Sequence, residues 1–454
     1  MAITVADVPV YRGKFGEREA ARLLWRAGFG PKPGEAAKLA RHYNLKGAVR
    51  SLTRPKGAEV LKGPAPVDGD GLPIAPFDAW GHDLLWWLDR MVRTNHPLVE
   101  RMALIWHDWF ATGDVDNQQH SIEQAQLFER RWMGPFSDLL SEVTTNPAML
   151  IWLSGIENTK RAPNENYGRE MMELFTLGAS NESGYPYSED DVREQARALT
   201  GWAASWQDDV GFVNFHFDVK RHDTGTKTIF GQTGAFDWTD SCRLCVGHAA
   251  HKTFFINKLW SYFVPVAPSS ETQKALERLY VERGYDVRPV VEAILMHPTF
   301  HRGPAMVKPP IVYMAGLLRA RRSGIRSDDW AWIAELAGQR LFRPPNVAGW
   351  DDSRWLDTST FRGRWIAANE VAGEDAIDDQ SAYDAGETAK TAVRKALRFW
   401  GDPLISSATR KGLERYANSV AASATADWQQ EAFRLLRQNA LRTLIATGPE
   451  MQAC

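Results

Sequence analysis

With 454 residues and a net charge of −2, the chain is long enough for a large helical core and lacks the basic excess that nucleic acid or an anionic membrane surface requires. Three cysteines (Cys242, Cys245 and Cys454) exclude a disulfide framework, and no apolar run reaches the roughly 18–20 residues of a membrane span. Tryptophan is the outlier at 19 residues, which argues for an aromatic core with a few rings left to line a cleft.

Residues Met1 to Gly16 carry neither an apolar stretch of signal-peptide length nor a twin-arginine start, so the sequence reads as cytoplasmic. A first helix is predicted over Glu17 to Ala27, and a second over Pro33 to Leu52. Residues 53–78, rich in Pro and Gly, read as an exposed loop. Apolar residues at helical spacing then predict helices over Ala79 to Arg93, Leu98 to Ala111, Ser121 to Trp132, Phe136 to Thr144 and Ala148 to Leu153. Ser188-Glu-Asp-Asp191 reads as a capping box opening a helix through Leu199. Residues 203–240 break the pattern. There Phe212 to Phe217 alternates as a strand, Arg221-His-Asp-Thr-Gly225 turns, and Lys227 to Phe230 is the expected return strand. Helices follow over Asp240 to Phe263, Ser270 to Glu282, Val287 to Met296 and Lys308 to Ser323. After an irregular connection from Arg343, the last helices cover Arg362 to Asn369, Thr388 to Phe399, Ala408 to Ala424 and Gln429 to Ala446, with residues 385–454 packing on the core. The expected fold is mainly α: one multi-helix globular unit with a small β-hairpin insertion and long irregular loops.

The most informative run is Asn164-Glu-Asn-Tyr-Gly-Arg-Glu-Met-Met-Glu-Leu-Phe-Thr-Leu-Gly178, a helix stopped by glycine. A period of 3.6 places Asn166, Glu170 and Glu173 on one face, with Tyr167, Met171, Met172, Leu174 and Phe175 around the rest. A helix so apolar is expected to be buried, polar stripe included. Together with Glu165, Arg169, Glu194 and Arg197, the stripe makes a carboxylate-rich centre for a divalent metal or for acid/base work. Arg169 and Arg197 would orient carboxylates or bind an anion, with Asn166 and Trp350 at the substrate. The competing reading is a buried ion-pair network in which the two arginines neutralise Glu170 and Glu173. His107, at the enclosed end of its helix, and His222-Asp223, in a Gly-containing turn, are candidates for proton transfer. His222 would join Glu170 and Glu173 as a metal ligand.

Cys242-x-x-Cys245-x-x-His248-x-x-His251 lists zinc-type ligands, but steps of three on a helix fan them over half its circumference. No P-loop, no Gly-x-Gly-x-x-Gly, no His-Glu-x-x-His and no Gly-x-Ser-x-Gly is present, which sets aside nucleotide kinases, zincin proteases and α/β-hydrolases.

Several stretches, in order along nearly the whole chain, agree on one resemblance. They are Leu23-Leu-Trp-Arg-Ala-Gly-Phe-Gly-Pro31, Ile105-Trp-His-Asp-Trp-Phe110, Asn164 to Glu170, Glu194-Gln-Ala-Arg-Ala-Leu-Thr-Gly-Trp202, Arg221 to Gly225 with Lys227, Phe342-Arg-Pro-Pro-Asn-Val-Ala-Gly-Trp350 and Leu444 to Gln452. The chain resembles the bacterial family catalogued as domain of unknown function 1800. The resemblance implies a mostly helical protein, often exported and often found beside a second family, number 1501, that looks like alkaline phosphatases and sulfatases. It departs at Trp109, where the family often carries a second histidine. Three functions are consistent with these features: an acid/base or metal-dependent enzyme, a non-catalytic partner of the sulfatase-like protein that leaves the cell bound to it, and a glycan-binding protein with a Trp-lined cleft that includes Trp350.

Overall fold

The computed structural model describes residues 8–113, 115–179, 184, 186–378, 384 and 386–454, so the first seven residues of the N-terminal stretch lie outside the described residues. The fold is mainly α, with 56 % of the chain in helices. Among the described residues, strands form two antiparallel pairs, and no helix is long and apolar enough to cross a membrane.

Local chemistry fixes most helix ends. Helix Glu189–Ala198 opens through the expected box: Ser188 Oγ accepts from Asp191 N at 3.2 Å, and Asp191 Oδ2 accepts from Ser188 N at 2.8 Å. Helices Ser270–Glu282 and Val287–Met296 have the expected bounds. Elsewhere a cap divides what periodicity had joined. Asn44 accepts from Gly47 N at 2.8 Å and splits residues 33–52 into helices Glu35–His42 and Leu45–Thr53. The stretch after Asp237 likewise becomes helices Trp238–Gly247 and His251–Ser261. Helix Asp329–Leu336 was not expected from the sequence.

The single hairpin expected between 203 and 240 is two hairpins. Strand β1 (Trp202–Gln207) pairs with β2 (Gly211–Phe217), and β3 (Lys227–Ile229) pairs with β4 (Gln232–Gly234). Lys227–Ile229 therefore does not return to the Phe212–Phe217 strand. The reason is local: Phe230 and Gly231, at φ 49° and 72°, form a two-residue turn with both φ positive, which folds β3 straight onto β4.

Contacts group the chain into two compact units, neither continuous in sequence. One comprises Met1–Arg12, Val99–Pro304 and Leu341–Trp350; the other comprises Gly13–Leu98, Ala305–Arg340 and Asp351–Cys454. Each is assembled from separated segments, so no linker in the sequence marks a boundary.

The first unit is built on aromatic packing. Trp106, Trp109 and Phe110, three and four residues apart near the end of helix Pro97–Trp109, meet Phe136, Phe175 and Phe255. Phe255 in turn stacks on Tyr280 at 4.2 Å. Such ring pairs add about 0.5–1.5 kcal/mol each beyond the area they bury. In the second unit, helix Pro310–Arg321 is buried from Pro310 to Ala320 and packs against helices His82–Arg93 and Thr358–Gly373.

Candidate functional site

The run from Asn164 to Gly178 is helical, but its period changes midway. An α-helix covers Asn166–Glu170, and a π-helical turn, Met171–Thr176, follows directly. Leu177 N donates to Met172 O at 2.7 Å, and Thr176 Oγ1 donates to Met171 O at 2.6 Å, both five residues back. The turn ends as expected at Gly178, with φ +90°.

Side chains from other elements take the carbonyls at this widened end. Lys258 Nζ donates to Leu174 O at 2.9 Å, Trp109 Nε1 to Phe175 O at 3.1 Å, and His251 Nδ1 pairs with Thr176 O at 2.9 Å. These are the orphan acceptors of a helix C-terminus, and a cation suits them. The Lys258 ammonium also lies 4.7 Å over the Trp109 ring, and burial lowers its pKa to about 8, against the opposing charge of Asp108. Asp108 itself accepts from Tyr262 Oη at 2.7 Å and Trp350 N at 2.8 Å. Lys258, Asp108 and Tyr262 were not singled out in the sequence, because their links to this turn are long-range.

The polar stripe is less enclosed than its neighbours implied: Asn166 is exposed, and Glu170 and Glu173 are half-buried. The π turn shifts the phase of Glu173 alone, since Asn166 and Glu170 lie in the α-helical part before it. The arginines are engaged elsewhere. Arg169 donates to Glu189 at 2.8 and 2.9 Å and to Glu165 at 3.1 Å, and these bonds, Glu189 foremost, raise its pKa. Arg197 donates to Asp223 Oδ2 at 2.7 Å and to Glu194 at 2.8 and 2.9 Å. Neither Glu170 nor Glu173 has a hydrogen bond or ion pair among the described residues. Burial, reinforced by the charge of Glu173, raises the Glu170 pKa above the ordinary carboxyl value, and Arg169 opposes this only weakly.

The remaining candidates are structural in their contacts. His107 is buried and accepts from Phe342 N at 3.0 Å through Nε2, with its ring edge-on to Trp350 at 5.3 Å. Burial lowers its pKa to about 3, which keeps the ring neutral near pH 7. Trp350 is buried, with its ring against that histidine; the exposed tryptophans are Trp80, Trp206, Trp332, Trp365 and Trp428. His222 pairs through Nδ1 with Thr200 O at 2.9 Å and packs on Phe217. Asp223 is held by Arg197, which lowers its pKa, and also accepts from Gly225 N at 2.8 Å. Lys227 fastens the same turn through the Asp223 and Gly225 carbonyls.

Among the described residues, no three His, Cys, Asp or Glu side chains converge on a common cation position. The expected set Glu170, Glu173 and His222 is accordingly not gathered into one ligand shell among the described residues. The Cys/His series does not form a zinc site either. Cys242 and Cys245 are buried thiols bonded to Thr144 and Gln195, with burial pushing Cys242 up to about 11, while His251 bridges Thr176 and Tyr280.

Residues 22–453 match the family described as protein of unknown function (DUF1800). The chain belongs to this family. The match extends over nearly the whole DUF1800 chain, so both compact units are part of the family fold. No curated protein and no solved structure matches it.

Proposed function

We propose that this DUF1800 protein is an enzyme working by acid/base chemistry at the Glu170–Glu173 pair. The observation that carries the reading is the pairing pattern. Four carboxylates (Glu165, Glu189, Glu194 and Asp223) take the two nearby arginines in hydrogen bonds and ion pairs, and among the described residues Glu170 and Glu173 have neither, Glu170 feeling the charge of Glu173 more than that of Arg169. A purely structural network neutralises its acids; a working pair keeps them poised. Glu170, with its raised pKa, keeps its proton to higher pH than an ordinary carboxyl and is the general acid. Glu173 is the carboxylate base beside it. The π turn that carries Glu173 belongs to a class of helix defects frequent at functional sites. Two carboxyl groups with no cation bonded to them repel anions, so the substrate is neutral or cationic, such as an ester, amide or glycoside, and not a phosphate or sulfate ester.

A panel of chromogenic esters, amides, glycosides, phosphates and sulfates, assayed across pH, tests this. Turnover of a neutral class is expected, falling on the order of 10²–10⁴-fold in Glu170→Gln, the usual span for losing a general acid. Glu173→Gln should also lower turnover by removing the base, and the alkaline limb of the residual activity should lie at lower pH, because removing the Glu173 charge lets the Glu170 pKa fall. Undiminished turnover in Glu170→Gln refutes the assignment.

A further inference from the structure

Two stretches marked out in the sequence, Leu23 to Pro31 and Leu444 to Gln452, take no part in the carboxylate centre. Both belong to the second unit, and residues of both line one cleft there, about 380 Å³ in volume. Trp25, Trp400, Leu404 and Met451 give it apolar walls. Trp25 is held firmly in place. Gly30, at φ +82°, passes so close that a Cβ there would lie 2.7 Å from the indole, and the Lys308 ammonium sits 3.7 Å over the ring. Lys308 is fully buried and donates to Met451 O at 2.8 Å and Glu450 O at 3.1 Å, tying Trp25 to the turn that carries Met451. A cleft built this way is pre-formed, and its volume falls within the range of small-molecule sites.

Lys32 lines the same cleft, in the turn that follows Gly30-Pro31. Its backbone N–H donates to Glu35 Oε2 at 2.7 Å, but its half-buried ammonium has no hydrogen bond or ion pair among the described residues. The charges acting on it are unbalanced: Arg319, Lys62 and Arg322 are set against one carboxylate, Glu35. Arg319 is itself buried, donating to Gly30 O at 3.0 Å and Val92 O at 3.1 Å, with Glu35 3.6 Å away. Burial first, then these cations, lower the Lys32 pKa to about 8. A half-buried ammonium among like charges is stabilised by an incoming anion. Of the acids on the cleft wall, Glu450 is already occupied by Ser406 N and Thr409 Oγ1 and the Cys454 oxygen accepts from Arg26 at 2.6 Å, whereas Glu17 and Asp402 disfavour any ligand of high negative charge and Arg18 and Arg22 add positive charge.

We propose that this cleft binds a small organic monoanion, its charged group on the Lys32 ammonium and its flat apolar body against Trp25, Trp400 and Leu404. The site is independent of the Glu170 pair and makes this chain a binder of aryl or alkyl carboxylates or their like.

Titration of the full chain with benzoate at constant ionic strength, read by tryptophan fluorescence and calorimetry, tests the proposal. Benzamide (the neutral isostere) and acetate (the anion without the ring) are the comparisons. Benzoate should saturate and bind about tenfold or more tightly than either, since a charge-assisted bond and ring burial are each worth at least that factor. Lys32→Gln should lower benzoate affinity by about tenfold while leaving the melt unchanged. The exposed-site variant Leu404→Glu should weaken binding by charge repulsion without risk to the fold. Affinity should also fall as pH rises through the Lys32 pKa, and Glu170→Gln should leave binding at its parental value. Equal affinity for benzoate and benzamide, parental affinity in Lys32→Gln, or no saturation at millimolar benzoate overturns the proposal.

Discussion

Arg169 donates to Glu189, a residue of the next helix, at 2.8 and 2.9 Å, and not to Glu170, its neighbour in sequence. Glu165 takes the other side of the same guanidinium, and Glu170 and Glu173 have no hydrogen bond or ion pair among the described residues.

Glu170→Gln is expected to fold and to melt within a few degrees of the parent, with activity lost. The Glu170 pKa in the folded protein lies above its ordinary value of 4.5. Between those two values the folded state binds more protons than the unfolded one, so this group's contribution to stability declines as pH rises through the window. Glutamine cannot ionise and removes that decline. Melting curves of parent and variant at a series of pH values should show the variant gaining relative to the parent as pH rises above about 4.5. A melt lowered by about ten degrees or more at neutral pH, far beyond the shift that 1 kcal/mol produces, would favour a structural role.

Lys258→Met removes the donor to Leu174 O and the cation over Trp109. A hydrogen bond from a charged group contributes about 1.5–3 kcal/mol, and the variant should lose that much by urea unfolding. The folded pKa of Lys258, about 8, lies below its ordinary 10.5. Folded protein therefore binds fewer protons than unfolded between those values. The stability linked to this group is present above the ordinary pKa and is lost as pH falls through the folded one. Comparing parent and Lys258→Met at both ends of that window isolates the effect; a difference independent of pH would contradict it.

Arg197 and Asp223 should behave as one unit. In a double-mutant cycle of Arg197→Met and Asp223→Asn, the coupling is expected at about 1–3 kcal/mol, since the bond is charge-assisted and partly shielded. Amide exchange in β3 should accelerate in either single variant, because Lys227 is bound to the same turn. Additive effects would show that the pair does not hold the hairpin.

His107→Phe keeps a ring of similar size and deprives Phe342 N of its acceptor. A buried donor left unsatisfied costs about 1–3 kcal/mol, so denaturant unfolding should reveal a loss of that size. The pH dependence of any activity should not change, because this imidazole stays neutral near pH 7. A shifted pH profile in a stably folded variant would give His107 a part in proton transfer.

The family, the mainly helical fold and the ends of many helices are legible in the amino-acid order alone. Those features rest on interactions within a few residues: the Ser188–Asp191 box, the Ser270–Glu282 and Val287–Met296 periods, the stop at Gly178. Local chemistry also carried the Asn44 cap and the Phe230-Gly231 turn, where apolar spacing had suggested continuity. Only the tertiary structure decided the site. Spacing offered Arg169 several carboxylates, and the approach of helix Glu189–Ala198 selected Glu189. The π turn was equally illegible, because the groups that take its carbonyls (Trp109, His251 and Lys258) come from elements far along the chain. Periodicity reports which faces are apolar; it cannot report which distant donor will reach a given carbonyl, or that Arg169 will bond Glu189 and Glu165 and leave Glu170 and Glu173 without an ion pair.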